Sequence, residues 1–175
     1  MNKKKVFILV ILLCFVGAGF IYWDYNRKQE NLVKPSADYL NDQDLLDKAQ
    51  SIVEVSNVRK DHDIQYLGTD FVLYEVSVED VVRGEDALID QSIKILQTVS
   101  SRYPMLETDH NYLLFLDPYE GPIVDDAYVI YGMSLGMLVE VEDQIVFSDL
   151  QKEYFTKLKD YPLAISLFKV QLKLK

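Results

Sequence analysis

The apolar positions along the chain change their period four times, and each change marks an element. Val6 to Trp23 is an uncharged run of 18 residues, preceded by Lys3, Lys4 and Lys5 and followed by a polar stretch. At 1.5 Å per residue a helix over this run spans about 27 Å, close to the hydrocarbon thickness of a bilayer. Its end in Phe20-Ile21-Tyr22-Trp23 suits an interfacial aromatic belt better than the small-x-small exit of a cleaved signal. We read residues 1–23 as a transmembrane anchor, with a signal segment as the alternative. Residues 24–36, polar and ending in Lys34-Pro35-Ser36, read as a stalk.

From Asp38 to Ala49 the spacing of Leu45, Leu46 and Ala49 predicts a short helix, with Asn41 or Asp42 as its cap. The period then falls to two. Ser51 to Ser56 and Phe71 to Val78 read as strands, the second with Val72, Tyr74, Val76 and Val78 on one face. Further strands are expected at Ser92 to Gln97, Tyr112 to Leu116, Ala127 to Tyr131, Met137 to Val141 and Gln144 to Phe147. The last two flank Glu142-Asp143 as a tight hairpin would. After Phe147 helical spacing returns at Leu150, Tyr154, Phe155 and Leu158, and this helix is expected to end near Pro162. The closing stretch LAISLFKVQLKLK fits either a strand or a helix.

Several short strands without long helices between them predict a mainly β fold, an OB-like antiparallel β-barrel over residues 37–149 with short flanking helices. Residues 150–175 form a basic amphipathic tail.

Charge and composition narrow the function. The 28 acidic and 18 basic residues give a net charge of -10, which repels phosphate backbones and argues against a nucleic-acid partner. The excess is uneven: Asp24 to Asp149 carries -17, whereas Leu150 to Lys175 carries 6 basic and 2 acidic residues. Such a tail suits either lipid headgroups or the acidic body. Lysines before the apolar run favour a cytoplasmic amino terminus and an extracellular carboxyl-terminal domain, a single-pass cell-membrane protein. Cys14, the only cysteine, lies within the run. The exported part therefore has no disulfide, and with no Asn-x-Ser/Thr acceptor it suits a Gram-positive surface.

The order of features from Leu45 to Phe147 resembles small exported Gram-positive proteins with an OB-fold-like barrel, loosely similar to the netrin and tissue-inhibitor-of-metalloproteinase module. The residues that carry it are Ala49 to Val55, the run Tyr74 to Gly84, Tyr112-Leu113-Leu114-Phe115-Leu116, Gly132 and Gly136, and the hairpin Val139 to Val146. The resemblance implies a barrel and no catalytic residue. It stops at the inhibitors' zinc-chelating amino-terminal cysteine, which this domain lacks.

Candidate chemistry is sparse. Asp117, Glu120, Asp125 and Asp126 place four carboxylates in about ten positions, enough oxygen donors for calcium but without the regular loop spacing of an EF-hand. The plain alternative is an acidic loop on an acidic protein. His62, in Arg59-Lys60-Asp61-His62-Asp63, reads as an exposed turn-like loop between two strands, because no second histidine lies at ligand spacing. His110 reads as a polar residue at a strand entry. No exported cysteine and no Gly-x-Ser-x-Gly elbow supplies a nucleophile. Among 12 tyrosines, Tyr119, Tyr128 and Tyr131, with Tyr103, fall near strand ends and offer a ligand face, although packing of the core and barrel rim is the more common role for such residues.

The expectation is thus a binding module without catalysis or cofactor, anchored through Val6 to Trp23 and facing an unknown protein or envelope component. The alternatives are a metal-assisted hydrolase built on the Asp117 to Asp126 loop and His110, a calcium-binding surface protein, and an accessory subunit of a membrane complex.

Overall fold

The computed structural model describes residues 41–101 and 103–174. The apolar run Val6 to Trp23, Cys14 and the stalk lie outside them; among the described residues no helix is long and apolar enough to cross a membrane. The fold begins with helix α1 (Asp42–Lys48). Asn41 is its cap: its side-chain oxygen accepts from the N–H groups of Gln43 and Asp44, and the Asp44 carboxylate accepts the Asn41 N–H in return. This reciprocal pairing satisfies donors that the first turn leaves open. Leu45 and Leu46 are buried, as their spacing predicts.

Seven strands follow among the described residues: β1 (Ser51–Tyr66), β2 (Thr69–Arg83), β3 (Ser92–Thr98), β4 (Asn111–Pro118), β5 (Ala127–Ile130), β6 (Met137–Val141) and β7 (Gln144–Val146). The protein is mainly β. β1 pairs with β2, β2 with β3, β3 with β5, β5 with β4, and β4 with β1 again. The pairing therefore returns to its starting strand. From β4 the ladder also runs outward through β6 to β7. One pair departs from the expected antiparallel pattern: β3 and β5 run parallel, with Lys94 opposite Ala127 and Ile95 opposite Tyr128. This follows from topology, because β4 lies between them in sequence but pairs on the far side with β1.

β1 and β2 are much longer than the alternation suggests. Arg59 to Asp63 belongs to β1, with His62 opposite Leu73, so the expected loop is half of a β ribbon. Both faces of that half are largely exposed, so no apolar period betrays it; pairing with β2 holds it, helped by the ion pair of Arg59 with Glu75. Register shifts between Ser56 and Arg59 and between Lys60 and His62 bend the strand as bulges do. Only Ser51 to Val55 also pairs with β4.

Two apolar cores lie on opposite sides of the sheet. Val72, Tyr74, Val76 and Val78 share one face, as expected, and pack with Ile95 and Leu114 in the first core. The second lies against α1 and the carboxyl-terminal helices α2 (Asp149–Tyr154) and α3 (Ile165–Lys173), and contains Phe115, Phe155 and Phe168. β4 serves both: Tyr112, Leu114 and Leu116 face one core, Leu113 and Phe115 the other. A strand covered on both faces reads as the continuous apolar run YLLFL.

The helix expected to run to Pro162 stops at Tyr154, and Leu158–Asp160 forms a separate 3-10 turn. The break occurs where the N–H groups of Thr156, Lys157 and Leu158 turn to the Asp42 carboxylate. The closing stretch is helical. Its entry covers the short edge strand β7: Ile145 N–H donates to the Leu163 carbonyl, and Ile165 N–H to that of Asp143. Residues 41–119 and 123–174, as described, make one unit, while Glu120–Pro122 in the β4–β5 connection group separately.

Candidate functional site

Two connections lie at opposite ends of β1: the β1–β2 hairpin follows its last residue, Tyr66, and the β4–β5 connection follows the end of β4 that pairs with Ser51. The β1–β2 hairpin turns through Leu67 and Gly68, with φ of 49° and 81°. Two left-handed residues in succession make the tight turn that matches strand twist. Glycine fits there freely, whereas leucine does not, and Leu67 nevertheless stands 65% exposed at the tip.

Opposite it, Tyr119 follows directly on β4. Its N–H donates to the Ala127 carbonyl at 2.8 Å, and its hydroxyl accepts the Ile123 N–H at 3.2 Å. The ring thus staples the β4–β5 connection. Burial raises the Tyr119 phenol above its usual value, the Ile123 hydrogen bond opposes this, and the neighbouring Tyr66 phenol adds to it. Tyr128 lies opposite Pro118 and Ile95 at the same end and packs half-buried against the first core.

Tyr131 does not join them. It packs against the second core, and its N–H donates to the Phe115 carbonyl at 2.8 Å. Burial raises its phenol, with Lys48 opposing. Tyr103 is half-buried before β4.

The four carboxylates have different surroundings. Asp117 is buried in β4, and its Oδ1 accepts the Gln50 N–H at 3.2 Å, tying the entry of β1 to β4. Glu120, Asp125 and Asp126 are exposed in the connection, Asp126 with a φ of 54°. Among the described residues no group of three or more His, Cys, Asp or Glu side chains is placed to hold a metal ion. His62 is exposed on β1, with Nδ1 3.1 Å from Asp61 Oδ2. At the entry to β4, His110 Nδ1 lies 3.4 Å from Glu107 Oε2, and its ring is tilted against Tyr112.

Three polar residues matter in ways the sequence pattern did not single out. Asp42 is fully buried and accepts four hydrogen bonds from Thr156, Lys157 and Leu158. Gln151 is buried, and its amide donates to the carbonyls of Ser134, Leu135 and Met137 at 3.1, 3.2 and 2.8 Å. Lys169 on α3 bridges Glu54 of β1 at 2.5 Å and Asp80 of β2 at 2.8 Å. Asp42 and Lys169 face partners 89 to 116 positions away, and Gln151 reaches carbonyls 14 to 17 positions back; only the Ser-x-x-Gln spacing at Ser148 and Gln151 was a local sign.

No protein-family model matches the chain, and no curated protein matches it.

Proposed function

We propose that the chain is a membrane-anchored, extracytoplasmic binding module that performs no chemistry, and that its β body is an OB-like barrel. The observation that carries the reading is the strand cycle β1-β2-β3-β5-β4-β1 with its parallel β3–β5 step. In OB-fold barrels ligands lie over strands 2 and 3, between the connections of strand 1 to 2 and of strand 4 to 5.

Tyr119 and Tyr128, brought together by the pairing of β4 with β5, suit the flat apolar faces of an envelope saccharide or an apolar protein segment. The acidic body selects against anionic polymers. The anchor is Val6 to Trp23, with the amino terminus in the cytoplasm.

A photoreactive residue at Leu67 in the full-length chain on intact cells tests the reading, with the same residue at Lys152 of α2 as a control. Adducts to an envelope component at position 67 and none at 152 support it. Absence of adducts at 67, or equal adducts at both, counts against the ligand face. Extraction of the chain by alkaline carbonate would count against the anchor.

A further inference from the structure

α3 carries apolar residues on two opposite faces. Ile165, Phe168 and Leu172 are buried in the second core. Leu167, Val170 and Leu174 follow at intervals of three and four, a second stripe turned away from the first. They are 56%, 55% and 75% exposed, and Leu163 just before the helix is 43% exposed. Among the described residues neither core includes this stripe, and the inner face alone suffices to seat the helix.

Charge accompanies the stripe. Lys169 is neutralised by Glu54 and Asp80, but Lys173 stands exposed beside Val170 and Leu174. The whole segment from Leu150 onward carries 6 basic and 2 acidic residues, on a chain whose preceding part is strongly acidic. An anionic bilayer repels that acidic part and attracts this one.

We infer that the outer face of α3 docks on the anionic lipid surface of the membrane that holds the chain, with Leu167, Val170 and Leu174 in the headgroup region and Lys173 at the lipid phosphates. The inference rests on the anchored reading proposed above. On that reading 17 residues separate Trp23 from Asn41, a reach of no more than about 60 Å even when fully extended. The body is therefore always close to the bilayer, and a small interface suffices, because docking is effectively intramolecular. Docking would fix the orientation of the body and, with it, the direction in which Tyr119 and Tyr128 are presented.

The test uses the full-length chain with Cys14→Ser and an environment-sensitive fluorophore on Val170→Cys, or on Asp86→Cys as a control outside α3, reconstituted in vesicles. In vesicles rich in phosphatidylglycerol, brominated lipid is expected to quench the label at 170 several-fold more than that at 86. The difference should shrink in phosphatidylcholine alone and vanish in a Leu167→Glu, Leu174→Glu variant whose thermal unfolding is unchanged. A chain that floats with the vesicles while its 170 label is quenched no more than its 86 label overturns the docking and leaves the anchor standing. Burial of the 170 label that disappears when the chain is diluted within the bilayer assigns the stripe to a second copy, and also overturns the docking. A chain that fails to float overturns the anchor, and the docking with it.

Discussion

The carboxylate of Asp42, in the first turn of α1, accepts the backbone N–H of Leu158 at 2.8 Å across 116 positions of sequence. Lys157 N–H and both the N–H and hydroxyl of Thr156 complete its shell. Asp42→Ala leaves the buried Leu158 N–H and the part-buried donors of Thr156 and Lys157 without an acceptor, the buried one at about 1–3 kcal/mol and the others at less. We expect a loss of about 3 kcal/mol or more, read as a lowered midpoint in urea.

The same carboxylate gives an acid limit. Burial opposes its ionisation, but the hydrogen bonds from Leu158, Lys157 and Thr156 outweigh it and hold its pKa below the ordinary 3.8. Its contribution is therefore complete above the unfolded value and lost as pH falls through the lower, folded one. The stability gap between the native chain and Asp42→Asn should shrink from about pH 5 towards pH 2. A gap unchanged over that range would show that the charge contributes nothing.

Glu140 has the opposite sign. Burial, then Glu54 and Asp143, raise its pKa above the ordinary 4.5, so its ionisation costs stability that protonation restores. Glu140→Gln should stabilise the fold at neutral pH by about 1 kcal/mol, a gain of a few degrees in Tm. That gain should fade below the unfolded value, where both side chains are neutral.

Lys169 stands between Glu54 and Asp80. Burial pulls its pKa down, yet the hydrogen bonds to Asp80 and Glu54 raise it on balance. Its stabilisation is present below the ordinary 10.5 and lost as pH rises through the higher, folded value. Lys169→Met leaves two carboxylates facing each other and should cost about 2 kcal/mol at pH 7, somewhat less than for a fully buried pair.

β6 and β7 are joined by Glu142 and Asp143, with φ of 50° and 61°. Asn-Gly occupies these left-handed positions with less strain. The double change Glu142→Asn, Asp143→Gly should raise stability by about 1 kcal/mol in thermal unfolding.

Local chemistry was readable in the sequence wherever it was local in space. The cap at Asn41, the one-sided alternation of Val72 to Val78 and the turn at Glu142-Asp143 each depend on residues within a few positions of one another. The distal half of β1 was hidden because both of its faces are solvated, leaving hydrogen bonding to β2 as its main reason to be extended. The parallel β3–β5 pair and the partners of Asp42 and Lys169 were hidden because they are set by closure of the sheet. As for the candidate ligand face, Tyr128 and Tyr131 are three residues apart, and in a strand of period two an odd separation sends them to opposite sides. The pattern thus held the reason why Tyr131 leaves Tyr119 and Tyr128, although proximity in sequence had grouped all three.

The Asp42 shell also decides how the fold bears a mechanical load. A pull entering at Asn41 reaches α1 first, and the four hydrogen bonds to Asp42 hold that helix to the segment before the 3-10 turn. Only when they rupture does tension reach β1, which lies between β2 and β4 and must shear both ladders together. Asp42, with the buried Leu45 and Leu46, thus stands between such a load and the strand cycle.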